Sequence, residues 1–254
     1  MLPEFSTTQW LLAALAGVGI GVSKSGLPGI SLLHVVLFAH LFPGLASTGV
    51  VLPMLIAGDL GAVWLFRRHA LWAHVTRTLP PAVAGVGVGW AIMAWAQSAG
   101  VPGVRFNPII GGIVLGLAVL QVFRHLQPGR FTHLPHTRGF AWTMGFVAGV
   151  TTMLANAAGP VMGLYLLAVA LPKEEFVGTS AWFFLLINLI KVPFSLQLGL
   201  ITPSTLGFNL LFLPAIAAGL FLGRALIARL PQRGFDLLVL GFAMAASLRL
   251  LGLF

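Results

Sequence analysis

The chain has 254 residues, of which 58% are apolar and only 7% charged. A soluble domain carries about a quarter of its residues charged, so this one has too few to cover a water-facing surface, and most of that surface must face lipid. The formal net charge of +9 would suit nucleic acid in a soluble protein, but most of the arginines lie between apolar runs and no DNA- or RNA-binding motif is present, so nucleic acid is not an expected partner.

In chain order, residues 1–9 hold Glu4 and no basic residue, unlike a cleaved signal peptide, so the first apolar run is expected to stay in the mature protein. That run is 9–22. A break follows at Ser23-Lys24-Ser25-Gly26-Leu27-Pro28-Gly29, then a short run at 30–42. Runs at 45–66, 78–99 and 108–123 have spanning or near-spanning length, given that a hydrocarbon core of about 30 Å takes roughly 20 helical residues. A polar loop at 124–138 holds Arg124, Arg130, Arg138 and three histidines. The pattern then starts again: 139–154, a break at Ala155-Asn156-Ala157-Ala158-Gly159-Pro160, and 161–171. Runs at 177–196, 205–228 and 235–254 complete it.

This is one plan used twice. Aligning Pro43 with Pro172 sets Gly49 on Gly178 and Asp59 on Asn188, and Pro28 then meets Pro160 after a three-residue gap. Interrupted segments at matching places are the sequence sign of a repeat-built transporter. The expected fold is an all-α polytopic membrane protein with a single transport domain over 1–254. Repeat one is 9–123 and repeat two 139–254, joined by a cytoplasmic loop at 124–138. Each repeat is a broken helical hairpin plus three transmembrane helices.

Basic residues set the orientation, because short cytoplasmic loops carry the excess of lysine and arginine. Arg67, Arg68 and Arg77 put the loop near 67–77 inside, as do Arg229 and Arg233 for theirs. The segments 100–107 and 197–204, with one charge and none, fall outside. On this tracing 45–66 runs inward and its counterpart 177–196 runs outward, so the repeats are inverted. The assignment requires 172–176 to lie inside although Lys173 is outnumbered by Glu174 and Glu175. It also favours broken pairs that start and end on one side, since neither 9–22 nor 161–171 is a comfortable crossing.

Non-helical backbone at membrane depth must be buried in protein or line a wet cavity. Proline is favoured at the first position of a helix, so helices are expected to begin near Pro28 and Pro160, with unpaired N–H groups and partial positive charge in their first turns. Two such ends meeting near the midplane form an anion site. Lys24, flanked by Ser23 and Ser25, adds a cation that marks a substrate path, unless it snorkels to an interface. Asn156, with Thr151 and Thr152 upstream, is the polar counterpart. Asp59 and its repeat mate Asn188 lie in helix interiors. Asp59 is either a proton carrier or a structural partner of Lys24 or Lys191, and Lys191 reads as a snorkelling or ion-paired lysine. His34 and His40 are candidates for proton transfer or packing. His125, His133 and His136 lack metal-ligand spacing, so no metal and no cofactor is expected. Cysteine is absent, which removes thiolate ligands and nucleophiles. There is no zinc-protease motif, nucleophile elbow or phosphate-binding loop, so the chain does not read as an enzyme.

The run Gly19 to Gly29, then Leu52-Pro53 and Gly58-Asp59 before Arg67-Arg68, resembles the TauE/SafE family of sulfite exporters. Asn156, Gly159-Pro160 and Asn188-Leu189-Ile190-Lys191 look like that family's second repeat. The resemblance implies a multi-pass protein of the bacterial inner (plasma) membrane that exports sulfite, sulfoacetate or a related small sulfur-containing anion by alternating access. It carries substrate binding onto Lys24, Ser25, Gly26, Pro28, Asn156 and Gly159. Two other readings are a cation or metal permease using His34, His40 and Asp59, and a non-transporting membrane scaffold subunit. Gly85, Gly87, Gly89, Gly219 and Gly223 permit close helix packing, within the chain or between the subunits of a homodimer.

Overall fold

A computed structural model of the chain describes residues 5–25, 31, 34, 37–38, 41–42, 46–100, 112, 115–116, 118–119, 122 and 137–253. Among these every regular element is helical. In order they are α1 (Thr7–Ser25), α2 (Ala46–Phe66) followed by a 3-10 turn at Arg67–His69, α3 (Trp72–Ser98), α4 (Arg138–Ala155), α5 (Ala158–Ala168), α6 (Lys173–Gln197), α7 (Pro203–Leu211), α8 (Leu213–Arg229) and α9 (Gln232–Leu250). Helix is what apolar sequence must form in lipid, where no water remains to satisfy backbone groups. By length and apolarity together, three stretches among the described residues suffice to cross a membrane: Ser47–His69, Trp72–Ser98 and Lys173–Gln197. A fourth is the bent pair Pro203–Leu211 and Leu213–Arg229. Large apolar side chains stand exposed on their outer faces, among them Trp64, Trp95, Leu210 and Phe221.

Two expectations need correction. The first apolar run does not stop at residue 22: α1 continues through Ser23, Lys24 and Ser25. It does so because the serine hydroxyls bond back onto their own helix, Ser23 to the Ile20 carbonyl and Ser25 to that of Gly21, both at 2.9 Å. Its 19 residues reach about 28 Å at 1.5 Å per residue, a length close to that of the bilayer core. Second, the run expected at 205–228 is two helices bent by 49°. The proline ring at Pro214 has no N–H to offer the preceding turn and clashes with it. The helix expected near Pro160 is present: α5 begins at Ala158 with Pro160 in its first turn, where a missing N–H costs nothing. The expected helix start near Pro28 and most of the expected 30–42 and 108–123 runs, like the loop 124–136, lie outside the described residues.

Packing interleaves the two halves. α1 lies against α8, α3 against α4, and α2 against α6. The first two contacts run backbone to backbone through glycine. A Cβ on Gly149 of α4 would land on the Ala82 carbonyl of α3, and one on Gly21 of α1 would land on the Ile216 carbonyl of α8. Gly85 and Gly89 also meet α4, and Gly219 and Gly223 meet α1, so these four glycines serve contacts inside the chain; Gly87 faces open space. One apolar cluster is centred on α3, α4, α5, α6 and α9, and the other on α1, α2, α7 and α8.

Contacts at the helix ends place α2 and α6 antiparallel. Gly49, near the start of α2, abuts Leu200 just past the end of α6. At the opposite face His69 meets Glu174 at 3.4 Å. On that face Lys173 Nζ donates to the carbonyls of Ile227 and Leu230 at 2.9 and 2.7 Å. Residues 172–176 therefore share a face with Arg67, Arg68 and Arg229, as the charge-based tracing requires.

Substituting a glycine whose Cβ site is occupied by backbone forces helices apart. Gly149→Val is expected to lower the unfolding temperature in detergent by several degrees, matching an overpacking cost of about 1–3 kcal/mol, whereas Gly87→Ala leaves it unchanged. A thermal melt followed by size-exclusion chromatography reads both.

Candidate functional site

Polar side chains inside such a protein are costly unless they satisfy one another, and five of them do so here. Lys24, in the last turn of α1, reaches Asp59 in the middle of α2, Nζ to Oδ1 at 2.8 Å, with the carboxylate fully buried. The other oxygen, Oδ2, accepts from Asn188 Nδ2 on α6 at 2.7 Å. Three elements are thus tied at one point, and the positions aligned as repeat mates, Asp59 and Asn188, bond directly to each other. The same ammonium stands 4.5 Å from the centroid of the Phe184 ring, a favourable cation–π placement.

The second break is built around Asn156. It ends α4 in the left-handed conformation, φ 51°, with its N–H on the Thr152 carbonyl at 3.0 Å, while the N–H of Ala157 reaches the Thr151 carbonyl at 3.2 Å. Asparagine is among the few residues with a side chain that adopt this conformation readily. Its side chain is engaged as well: Nδ2 donates to the Thr48 carbonyl at 3.1 Å and Oδ1 accepts from Lys191 Nζ at 2.6 Å. Lys191 also donates to the Thr152 carbonyl at 2.8 Å and meets its hydroxyl at 3.1 Å. It does not snorkel: it is 2% exposed, and its three partners are all uncharged oxygens. Among the described residues Lys191 has no carboxylate within salt-bridge distance; its ammonium is held by these three oxygens.

Both regions open onto one cavity of about 30 Å³, against the roughly 10–15 Å³ that a single water needs. Ser23 and Lys24 line it from α1, Asn156, Ala158 and Gly159 from the second break, and Phe184 and Asn188 from α6. α5 has no side-chain cap at its start, so the N–H groups of its first turn have no partner within the helix. Of the residues singled out in sequence, Lys24, Asn156 and Gly159 come together here, with Asp59 and Lys191 directly behind them. Ser25 does not join them; it is buried against Gly223 of α8. Gly26 and Pro28 lie outside the described residues. Of the wall, His34 and Thr152 are residues the sequence already singles out, whereas Phe184 belongs to no motif; all three face the cavity. Among the described residues no three histidine or acidic side chains group as metal ligands.

Helices with exposed apolar faces enclosing a buried, cation-bearing cavity define a multi-pass membrane protein. The sequence profile described as "Sulfite exporter TauE/SafE" matches residues 13–250, and the chain belongs to that family. Membership makes it a membrane transporter of sulfur-containing anions. No curated protein and no solved structure matches it.

Removing Lys24 alone would strand a buried carboxylate, at a cost of about 3–5 kcal/mol. Lys24→Met is therefore expected to melt well below the parent protein, and the double change Lys24→Met with Asp59→Asn to recover most of the loss. Differential scanning fluorimetry of the three purified proteins checks this.

Proposed function

We propose that the chain is a secondary transporter that exports sulfite or a related small sulfur-containing anion across a bacterial inner membrane by alternating access. Its substrate is held by Lys24, Asn156 and the first turn of α5 at Gly159, with Gly26 and Pro28 completing the site from the first break. Ser25 keeps a structural part in that site, through its bond to the α1 backbone. The observation that carries this reading is one cavity lined both by the last turn of α1 and by the second break. Ammonium, amide and first-turn N–H groups converge there on a space with no room for a large substrate.

The architecture supports it. Two inverted repeats, 9–123 and 139–254, would exchange the partners of their first and fourth helical runs, as α1 with α8 and α4 with α3 do. They would also set α2 and α6 antiparallel. Rocking one half against the other about the Asp59–Asn188 contact would open the cavity to each side in turn. Asp59 and Lys191 are the groups placed to couple that motion to a proton. A metal permease would need Asp59 as a free ligand, and both of its oxygens are engaged. A scaffold subunit has no use for a buried cation-lined cavity.

Flux of labelled sulfite into or out of proteoliposomes is the direct test. The parent chain alone should carry it. The double variant Lys24→Met with Asp59→Asn should fold but lose roughly 10- to 100-fold in initial rate, the worth of one charge-assisted hydrogen bond of about 1.5–3 kcal/mol. Absence of sulfite flux from the folded parent chain would refute the transport reading.

A further inference from the structure

Two polar groups at the cavity have no hydrogen-bond partner among the described residues. His34 is 1% exposed and lines the cavity, yet neither ring nitrogen has a hydrogen-bond partner among the described residues. Asn188 lines the same cavity, and its Oδ1 is buried and equally without a partner. The orientation of that amide is fixed, because its NH₂ must face the Asp59 carboxylate. Buried polar atoms are rarely left unsatisfied, and one that is calls for an explanation such as a ligand. A neutral imidazole has one donor and one acceptor nitrogen. The cavity therefore lacks partners of both kinds: an acceptor for the His34 N–H, and a donor for Asn188 Oδ1 or the second His34 nitrogen.

Charge narrows the ligand further. Among the described residues, the ionisable groups at the cavity or bonded to its lining are Lys24 from α1, Asp59 from α2, Lys191 from α6 and His34. Lys24 and Asp59 cancel. Counting the imidazole as neutral, Lys191 leaves at most one uncompensated positive charge. A dianion would still leave the site short of positive charge, since the start of α5 adds only about half a unit, and a buried unbalanced charge is heavily disfavoured.

We propose that the anion bound here is a singly charged oxyanion that still carries a proton, hydrogen sulfite rather than sulfite, with its O–H given to Asn188 Oδ1 and a charged oxygen taken by the His34 N–H. His34 thereby becomes a further substrate-binding residue, and the pair selects for protonation state. A fully deprotonated dianion, or a sulfonate that has only acceptor oxygens, sets lone pairs against Asn188 Oδ1. This rests on the anion-transport reading above and specifies the form in which the anion binds.

Binding to the purified full-length chain in nanodiscs is measured by titration calorimetry with three probes. They are sulfite, methanesulfonate (a permanent monoanion without O–H) and sulfate (a dianion without O–H at these pH values). In mildly acidic buffer sulfite should bind at least about tenfold more tightly than either of the others, the equivalent of one hydrogen bond. In mildly alkaline buffer its affinity should fall in step with the loss of hydrogen sulfite. Methanesulfonate does not titrate, so its own profile reports whatever the protein's groups contribute. His34→Leu should weaken sulfite binding by about tenfold or more. Equal or tighter binding of sulfate or methanesulfonate, or sulfite affinity that holds in alkaline buffer, would overturn the proposal and leave anion transport standing. Unchanged sulfite affinity in a folded His34→Leu protein would remove His34 from the site. Binding of none of the three, with no sulfite flux, would bring down the transport reading and this proposal together.

Discussion

A buried carboxylate between two helices is expensive, and everything near the centre of this molecule is arranged around that expense. Asp59 is held on one oxygen by the Lys24 ammonium and on the other by the Asn188 amide. Without both partners, the cost of stripping water from the carboxylate would exceed what packing returns. Because those partners come from α1 and α6, meeting the electrostatic need of one side chain fixes how three helices sit relative to one another. The cavity wall follows from that placement. Lys24 and Asn188 both line it, and Phe184, on the same helix as Asn188, sets its ring 4.5 Å from the ammonium.

The second polar set obeys the same rule without a carboxylate. Lys191 is satisfied by a backbone carbonyl, a hydroxyl and an amide oxygen. All three belong to the end of α4 and its cap, where the chain leaves one helix for the next. The carbonyls of a final helical turn carry partial negative charge, and that of Thr152 accepts the lysine in addition to the Asn156 N–H. Asn156 serves both structure and site. It supplies the left-handed residue that ends α4 and the amide that joins Lys191 to Thr48, so the turn geometry and the polar contact stand or fall together.

Much of this was legible in the sequence, because it came from residues that are out of place in lipid. Lys24, Asp59, Asn156, Asn188 and Lys191 each interrupt an apolar run, and any intramembrane polar residue must find a partner. Which partner was not legible: Asp59 with Lys24 rather than Lys191 depends on helix rotation, which no spacing encodes. The limits of α1 were misjudged because Ser-Lys-Ser reads as a loop, whereas the hydroxyls return to the carbonyls of their own helix. The bend before Pro214 was passed over because Pro53, Pro80 and Pro193 all sit inside unbroken helices, so proline alone does not tell a kink from a continuous span. His34 gave the weakest signal. A lone histidine in an apolar helix looks the same in sequence whether it packs or binds, and only its unsatisfied nitrogens separate the two.

Lys173 has a mechanical effect as well. Its ammonium grips the last carbonyls of α8, and its own N–H is held by the Gln232 side chain at 2.8 Å. The start of α6 is thus fastened to the junction of α8 and α9. A helix fastened at one end does not slide along its axis; it swings. Any displacement of α6 relative to α8 would then be smallest at the arginine-bearing face and grow with distance from it, as in a door on a single pin.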